Sequence, residues 1–218
     1  MSSQVLSVSA NRDNYLAALF DRVSRSPLTP LDKGGKEGVK EDWLQELRDR
    51  SSAFLSEQTF PSTRDEEWRF TDISPLLQVN FQVPDTSNND SLPSSDLGTL
   101  IFSETAESRL IFVNGVYAPG LSSVPNLPSG VFVGNLAQLP EKYRDRISHY
   151  LGKHQGTNDV FAALNTAAFT DVAVIWVEKN QLIETPIHLL FISTLDNAPT
   201  ISQPRCLLVA ETNSQLTF

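Results

Sequence analysis

Cysteine occurs once in this 218-residue chain, so no disulfide can close within one copy. That usage fits a reducing compartment, and the cytoplasm is the expected location. Basic residues are also scarce: 17 Lys and Arg stand against 26 Asp and Glu, giving a net charge of −9. Phosphate-backbone binding needs clustered Lys and Arg, and anionic bilayer surfaces attract the same residues. Nucleic acid and membrane surfaces are therefore not expected partners. No apolar run reaches the ~18 residues that read as a membrane-spanning helix. The opening MSSQVLSVSANRDNY lacks a positive region followed by an apolar core, so no secretory signal is read there. The phosphate-cradling glycine loop of an ATPase is missing, as is any Ser-His-Asp grouping. His149 and His154 are five apart, off the i, i+4 spacing of paired zinc ligands.

What is present is enough for a packed core: 40% of the residues are hydrophobic. Tyr15, Leu16, Leu19, Phe20 and Val23 recur at helical spacing, which predicts a helix over Asn11–Val23. Trp43, Leu44, Leu47, Phe54 and Leu55 predict a second over Val39–Glu57. Between them SPLTPLDKGGKEG (26–38) reads as a loop, as does PDTSNNDSLPSSDLG (84–98). Leu76–Val83 suggests extended chain. Asn114-Gly115, set between apolar runs, is a strong hairpin signal, because a type I′ turn needs two residues tolerant of positive φ. A strand is predicted at Val131–Val133 and helices at Glu141–Leu151 and Val160–Phe169. Val172–Val177, Ile187–Ile192 and Cys206–Ala210 are short runs apolar on both faces, the pattern of strands covered on both sides. Periodicity alone leaves an antiparallel sandwich and a β-solenoid open. No fixed-period internal repeat is visible, as two or three coils would not show one clearly, and Leu216–Phe218 sits in what reads as a strand.

The twelve residues PSTRDEEWRFTD (61–72) combine helix-start chemistry with a cluster of large side chains. Thr63 and Glu66 have the spacing of a capping box, in which hydroxyl and carboxylate each satisfy an unpaired backbone N–H. A short helix is expected from about Asp65, stopping before Pro75. Asp65, Glu66 and Glu67 read as negative charge in a helix's first turn rather than as paired catalytic carboxylates, because adjacent residues do not face one another. Trp68 and Phe70 are expected to pack inward, and Arg69 to pair with a carboxylate or carbonyl. Asp72 closes the block.

This block resembles the SufD family of iron–sulfur cluster assembly proteins, in which a Pro, Glu-Glu-Trp-Arg, an aromatic and Thr-Asp recur near the N-terminus. LIFVNGVY (110–117), FAALNTAAFTDVAVIWVEKNQLIETPIHLLF (161–191) and PRCLLVAETNSQLTF (204–218) follow in the family's order. Phe161-x-x-Leu164-Asn165 is similar to SufB proteins as well. The resemblance implies an α+β fold: an N-terminal mainly helical region (1–156), then the first coils of a right-handed parallel β-helix (157–218). It implies a scaffold that pairs with SufB and the ATPase SufC in a cytosolic complex, where the complex, not this segment, handles the iron–sulfur cluster. The family's SufC-holding segment and late SufB-facing surface would lie beyond Phe218, so no catalytic, metal or cofactor residue carries over. A β-helix cut after a few coils leaves unpaired backbone groups, and self-association through that edge is expected.

The remaining polar candidates have plain structural readings. Cys206 sits in an apolar strand and reads as a buried thiol. One thiolate is a poor cluster site, since clusters generally take four protein ligands. His188 reads as a satisfied structural histidine. Asn165 is expected to bond a nearby backbone turn and lock the junction into the first coil. Two other functional classes make different demands on the sequence. A secreted β-solenoid carbohydrate enzyme would need a signal and a groove of charged residues. A small acidic adapter with an unrelated partner would be favoured by a closed antiparallel sandwich after Thr157, whereas parallel coils favour the SufD-like reading.

Overall fold

In the computed structural model, residues 2–24, 42–86, 92, 97–124, 126–153, 159–194 and 198–218 are described. The 26–38 loop, much of the 84–98 loop and His154 lie outside them. Among the described residues, four helices, α1 (Ser2–Ser24), α2 (Asp42–Ser56), α3 (Glu141–Ile147) and α4 (Val160–Ala168), accompany six strands. These are β1 (Arg109–Val113), β2 (Val116–Tyr117), β3 (Val131–Asn135), β4 (Ala173–Val177), β5 (His188–Ile192) and β6 (Cys206–Ala210). The chain is thus mixed α+β.

Local chemistry sets the first pairing. Asn114 (φ 54°) and Gly115 (φ 83°) both take positive φ, as a type I′ turn requires, and β1 pairs antiparallel with β2. Asn114 is buried. Its amide donates to Thr194 Oγ1 at 2.8 Å and its oxygen accepts from Thr194 N at 3.1 Å, which ties the hairpin to the chain leaving β5.

The strands form two sheets, ordered β2-β1-β5 and β3-β4-β6. In each, one pairing is antiparallel and the other, β1 with β5 or β4 with β6, is parallel. The sheets face one another: Leu110 and Phe112 of β1 share a cluster with Val133, Ala173, Ile175 and Val177 of the other sheet. On the opposite face of β4, Val174 and Trp176 pack against Leu44 and Leu47 of α2 and Tyr143 and Ile147 of α3. The double apolar run of β4 is therefore covered on both sides. A third cluster joins α1, the end of α2 and α4.

The structure shows a repeat that is not visible in the sequence. Ala173 pairs with Cys206, Asn180 bonds Asn213 and Leu182 bridges Gln215, each at an offset of 33 residues. Asn180 (φ 61°) and Asn213 (φ 59°) hold the same left-handed turn position, and the Asn213 amide donates to Asn180 Oδ1 at 2.9 Å. Only Glu178/Glu211 and Asn180/Asn213 are identical around these turns, too little to stand out in the sequence. Two further expectations are corrected. Ser74–Gln78 is a 3-10 turn that Pro75 opens rather than extended chain, since proline's fixed φ suits a helical first turn. The chain is extended only after it, where Gln82 bridges Thr200. Leu216–Phe218 is not a strand.

Asp171, 4% exposed, links three of these strands. It accepts from Val172 N (2.8 Å), Asn135 Nδ2 (2.9 Å) and Tyr117 N (3.2 Å). Burial pushes its carboxyl pKa up, and those donors oppose the push. Replacing Asp171 with Ala leaves the donors unpaired and is expected to lower stability by about 1–3 kcal/mol. Urea unfolding monitored by far-UV circular dichroism at neutral pH measures it.

Candidate functional site

The 61–72 block is held from below by α1 and from the side by α4. Arg12 of α1, 7% exposed, donates to the Pro61 carbonyl and, at 3.0 Å, to Ser74 Oγ. It thus straps both ends of the block. Tyr15, Phe60, Phe161 and Trp68 form a chain of ring contacts with centroids 5.9, 5.2 and 5.3 Å apart. Trp68 therefore packs on α4, as expected of an inward aromatic.

The capping box is not formed. Glu66–Trp68 is a single 3-10 turn, too short for a box to close. Asp65 serves instead as acceptor for Ser62 N (2.7 Å) and Ser62 Oγ (3.1 Å), which lowers its pKa. Thr63, Glu66 and Glu67 are exposed. Phe70 is also corrected: it is 93% exposed, with the Arg69 guanidinium 5.5 Å from its ring centre. Residues two apart on a tight turn do not share a face, and Trp68 takes the inner position. Asp72 accepts from Ser74 N at 2.9 Å and Ser74 Oγ at 2.6 Å, opening the next turn.

In α4, Asp159 caps the first turn by accepting from Phe161 N (2.8 Å) and Ala162 N (3.1 Å). Leu164 is buried. Asn165 does not bond a neighbouring turn. It reaches the entry of β6, donating to the Pro204 carbonyl and accepting from Arg205 Nη1, both at 2.9 Å. Cys206 is exposed rather than buried, because β6 is an edge strand. His188 stacks on Phe102 at 5.1 Å, with Thr105 Oγ1 3.4 Å from its Nδ1. No group of three or more His, Cys, Asp and Glu residues suited to a metal ion is found among the described residues.

Sequence reasoning missed an ionic clamp between α3 and the repeated turns. Glu178 accepts from Lys142 Nζ and Tyr143 Oη, both at 2.9 Å. One repeat later, Glu211 accepts from Arg146 Nη2 at 2.6 Å and from the buried Trp176 Nε1 at 3.0 Å. Lys142 and Arg146 are four apart and so lie on one face of α3. The 33-residue spacing of the two glutamates was the available signal. The bond from Lys142 holds Glu178 below the ordinary carboxylate range, and the bond from Trp176 does the same for Glu211.

Comparison with known proteins places this architecture. The SufBD protein N-terminal region matches residues 36–189, from ahead of α2 into β5. The chain belongs to the SufBD family. It is 37% identical over 181 residues to the iron–sulfur cluster assembly SufBD family protein slr0076 of Synechocystis, covering 83% of this chain and 39% of that protein. It is 28% identical over 204 residues to the chloroplastic protein ABCI7 of Arabidopsis thaliana, covering 91% of this chain and 39% of that one. The chain thus spans about two-fifths of the length of these relatives. The SufBD match takes in both the 61–72 block and α4.

Two predictions separate anchoring from presentation here. Trp68→Ala is expected to cost about 3 kcal/mol or more, as large-to-small changes at packed aromatics do. Phe70→Ala is expected to stay within about 0.5 kcal/mol, as exposed substitutions do. Chemical denaturation of the two variants decides between them. The clamp gives a pH dependence. A depressed carboxylate pKa adds stability above the unfolded pKa, and that share is lost as pH falls through the folded pKa. Glu178→Gln/Glu211→Gln should therefore flatten the acid limb of a stability–pH curve, measured by thermal unfolding from about pH 7 to about pH 3.

Proposed function

We propose that this chain is the N-terminal part of a non-catalytic, SufD-type scaffold subunit of the SUF iron–sulfur cluster assembly complex, SufBCD. The SufBD match across the two-layered core carries the reading. The parallel β4–β6 pairing with its 33-residue offset supports a β-helix beginning here. In this reading β4, β5 and β6 are the opening coils of a right-handed parallel β-helix, and α1, α2 and the 61–72 block cap its first layer. The Glu-Glu-Trp-Arg block favours SufD over SufB.

The residues of the block and of α4 support scaffolding rather than catalysis. Trp68, Phe161 and Leu164 pack. Asn165 and Asp72 bond backbone. The partners in this reading are SufB and SufC, engaged by parts of the longer protein outside Met1–Phe218, and the cluster is cargo of the whole complex. The single cysteine favours a reducing, cytoplasmic compartment. No helix among the described residues is long and apolar enough to cross a membrane.

An acidic adapter with an unrelated partner is the competing reading, and its closed antiparallel sandwich is not the arrangement seen after residue 157. Affinity purification of the full-length parent protein from its own cells, under gentle conditions, is expected to recover both SufB and SufC. Recovery of neither would overturn the proposal.

A further inference from the structure

Asparagine followed by glycine is the dipeptide whose side-chain amide most readily closes on its own backbone. Glycine has no Cβ to hinder the approach of its nitrogen to the Asn Cγ, and Asn is among the thermolabile residues. Asn114-Gly115 is the one such dipeptide in this chain. Asn180 and Asn213 share its left-handed φ, but Gln181 and Ser214 follow them, and a side chain there crowds the attacking nitrogen.

The native hairpin holds Asn114 against that reaction. Its amide donates to Thr194 Oγ1 at 2.8 Å and its oxygen accepts from Thr194 N at 3.1 Å, so the side chain is turned onto the chain leaving β5. Closure needs Cγ to swing over the Gly115 nitrogen, and both bonds oppose the rotation. The turn itself is pinned on either side. Asn114 N donates to Ile192 O at 2.8 Å, and Gly115 O accepts from Thr170 Oγ1 at 3.2 Å. A Cβ at Gly115 would stand 3.5 Å from both Gln203 N and Thr170 Oγ1, so the turn is packed from outside. At 4% exposure Asn114 has little contact with the water that must take the proton of the attacking nitrogen. Asn180 and Asn213, by contrast, are exposed. Every residue that holds the turn is already in contact with it, and further cover would only strengthen the hold.

We propose that Asn114-Gly115 is a latent self-modification site, locked by the native hairpin and released when the hairpin opens. The Gly115 nitrogen attacks Asn114 Cγ and gives its proton to water. A C–N bond forms, the Cγ–Nδ2 bond breaks, and the leaving nitrogen takes up a proton and departs as ammonia. Water then opens the succinimide at either carbonyl. The net change is amide plus water to acid plus ammonia, with no oxidant or reductant. Opening at the backbone carbonyl leaves isoaspartate, whose main chain runs through the former side chain and is one methylene longer. Phe112 and Val113 then lose their register with Tyr117 and Val116, which a two-residue connection sets. Opening at the other carbonyl leaves Asp, which lacks the N–H that Thr194 Oγ1 and Asp85 O accept. Either product marks a chain that has opened, and isoaspartate keeps the hairpin from reforming. Reaction of an open state tracks how often that state is populated. The site rests on the hairpin alone and stands whether or not the scaffold reading does.

Peptide mapping by mass spectrometry tests it on the full-length parent protein, aged at about 37 °C and about pH 7.4 in buffer and in guanidinium chloride, with Asp and isoaspartate separated by chromatography. The peptide holding residues 114 and 115 is expected to deamidate at least tenfold faster in denaturant than in buffer, with isoaspartate exceeding Asp. In denaturant it should also outpace the peptides holding Asn180 and Asn213. Thr194→Val keeps the side chain's shape but removes the hydroxyl that accepts from Asn114. It is expected to speed deamidation in buffer at least fivefold, with circular dichroism confirming the fold. Gly115→Ala, read in denaturant where folding is not required, should slow the reaction at least tenfold. Should Thr194→Val not fold, the ratio of rates in buffer and denaturant and the Gly115→Ala arm still decide. Equal rates in buffer and denaturant, no reaction at Asn114 in denaturant, or a folded Thr194→Val protein no faster than the parent would sink the proposal.

Discussion

Burial of β4 on both faces is the constraint from which the rest of the arrangement follows. Its residues Ala173, Val174, Ile175, Trp176 and Val177 are all 0% exposed. At roughly 1.5–3 kcal/mol for each fully buried large apolar side chain, this strand is where solvent exclusion gains most. One face needs a second sheet, which β1 provides. The other needs helices, which α2 and α3 provide. Trp176 adds a polar demand, because a buried indole N–H must find an acceptor. Glu211 supplies it, and Glu211 in turn holds Arg146. Tyr143 and Tyr150 close on the same indole at 4.8 and 5.3 Å. The position of α3 is therefore a consequence of satisfying one side chain in β4.

The second joint is α4. It meets α1, α2 and the 61–72 block through Val160, Ala163, Leu164 and Ala167. Its polar side carries Asn165 and Thr166 to Arg205. Phe169, just past its end, accepts Arg48 Nη2 on its carbonyl at 2.9 Å. A short helix thus fixes the helical layer and the entry to β6 at once. Its small residues permit this, since Ala at alternate turns lets neighbours approach closely.

The elements with a strong period were legible in the sequence. The second long helix, the Asn114-Gly115 hairpin and the three apolar runs stand close to where local chemistry puts them, while α1 begins at Ser2, nine residues ahead of its periodic stretch. What was illegible depends on contacts distant in sequence. The Thr63–Glu66 spacing signals a capping box only if a helix follows, and here the turn is strapped by Arg12 from 49 residues away. Phe70 looks like a core aromatic until Trp68 is seen to occupy the available depth. Cys206 reads as buried from its apolar neighbours, yet strand order puts β6 at an edge. The clamp of α3 on Glu178 and Glu211 required the 33-residue offset, which two turns sharing only a Glu and an Asn do not announce.

That offset also gives the molecule a direction. At the start of the stack, β2 and β3 run antiparallel to β1 and β4, so the first layer is bounded by strands that reverse the chain. Everything added after them is parallel. β2 is only two residues long, and short edge strands recruit poorly. β5 and β6 are each five residues long and contain no Lys, Arg, Asp or Glu. The antiparallel pairings therefore lie on the β2 and β3 side of the two sheets and the parallel ones on the β5 and β6 side. The diagnostic 61–72 block packs instead with α1, the end of α2 and α4. Within it Trp68, Asp65 and Asp72 make the fixing contacts, while Glu66, Glu67 and Phe70 face solvent, so the residues that make the block recognisable are only partly the ones that hold it in place.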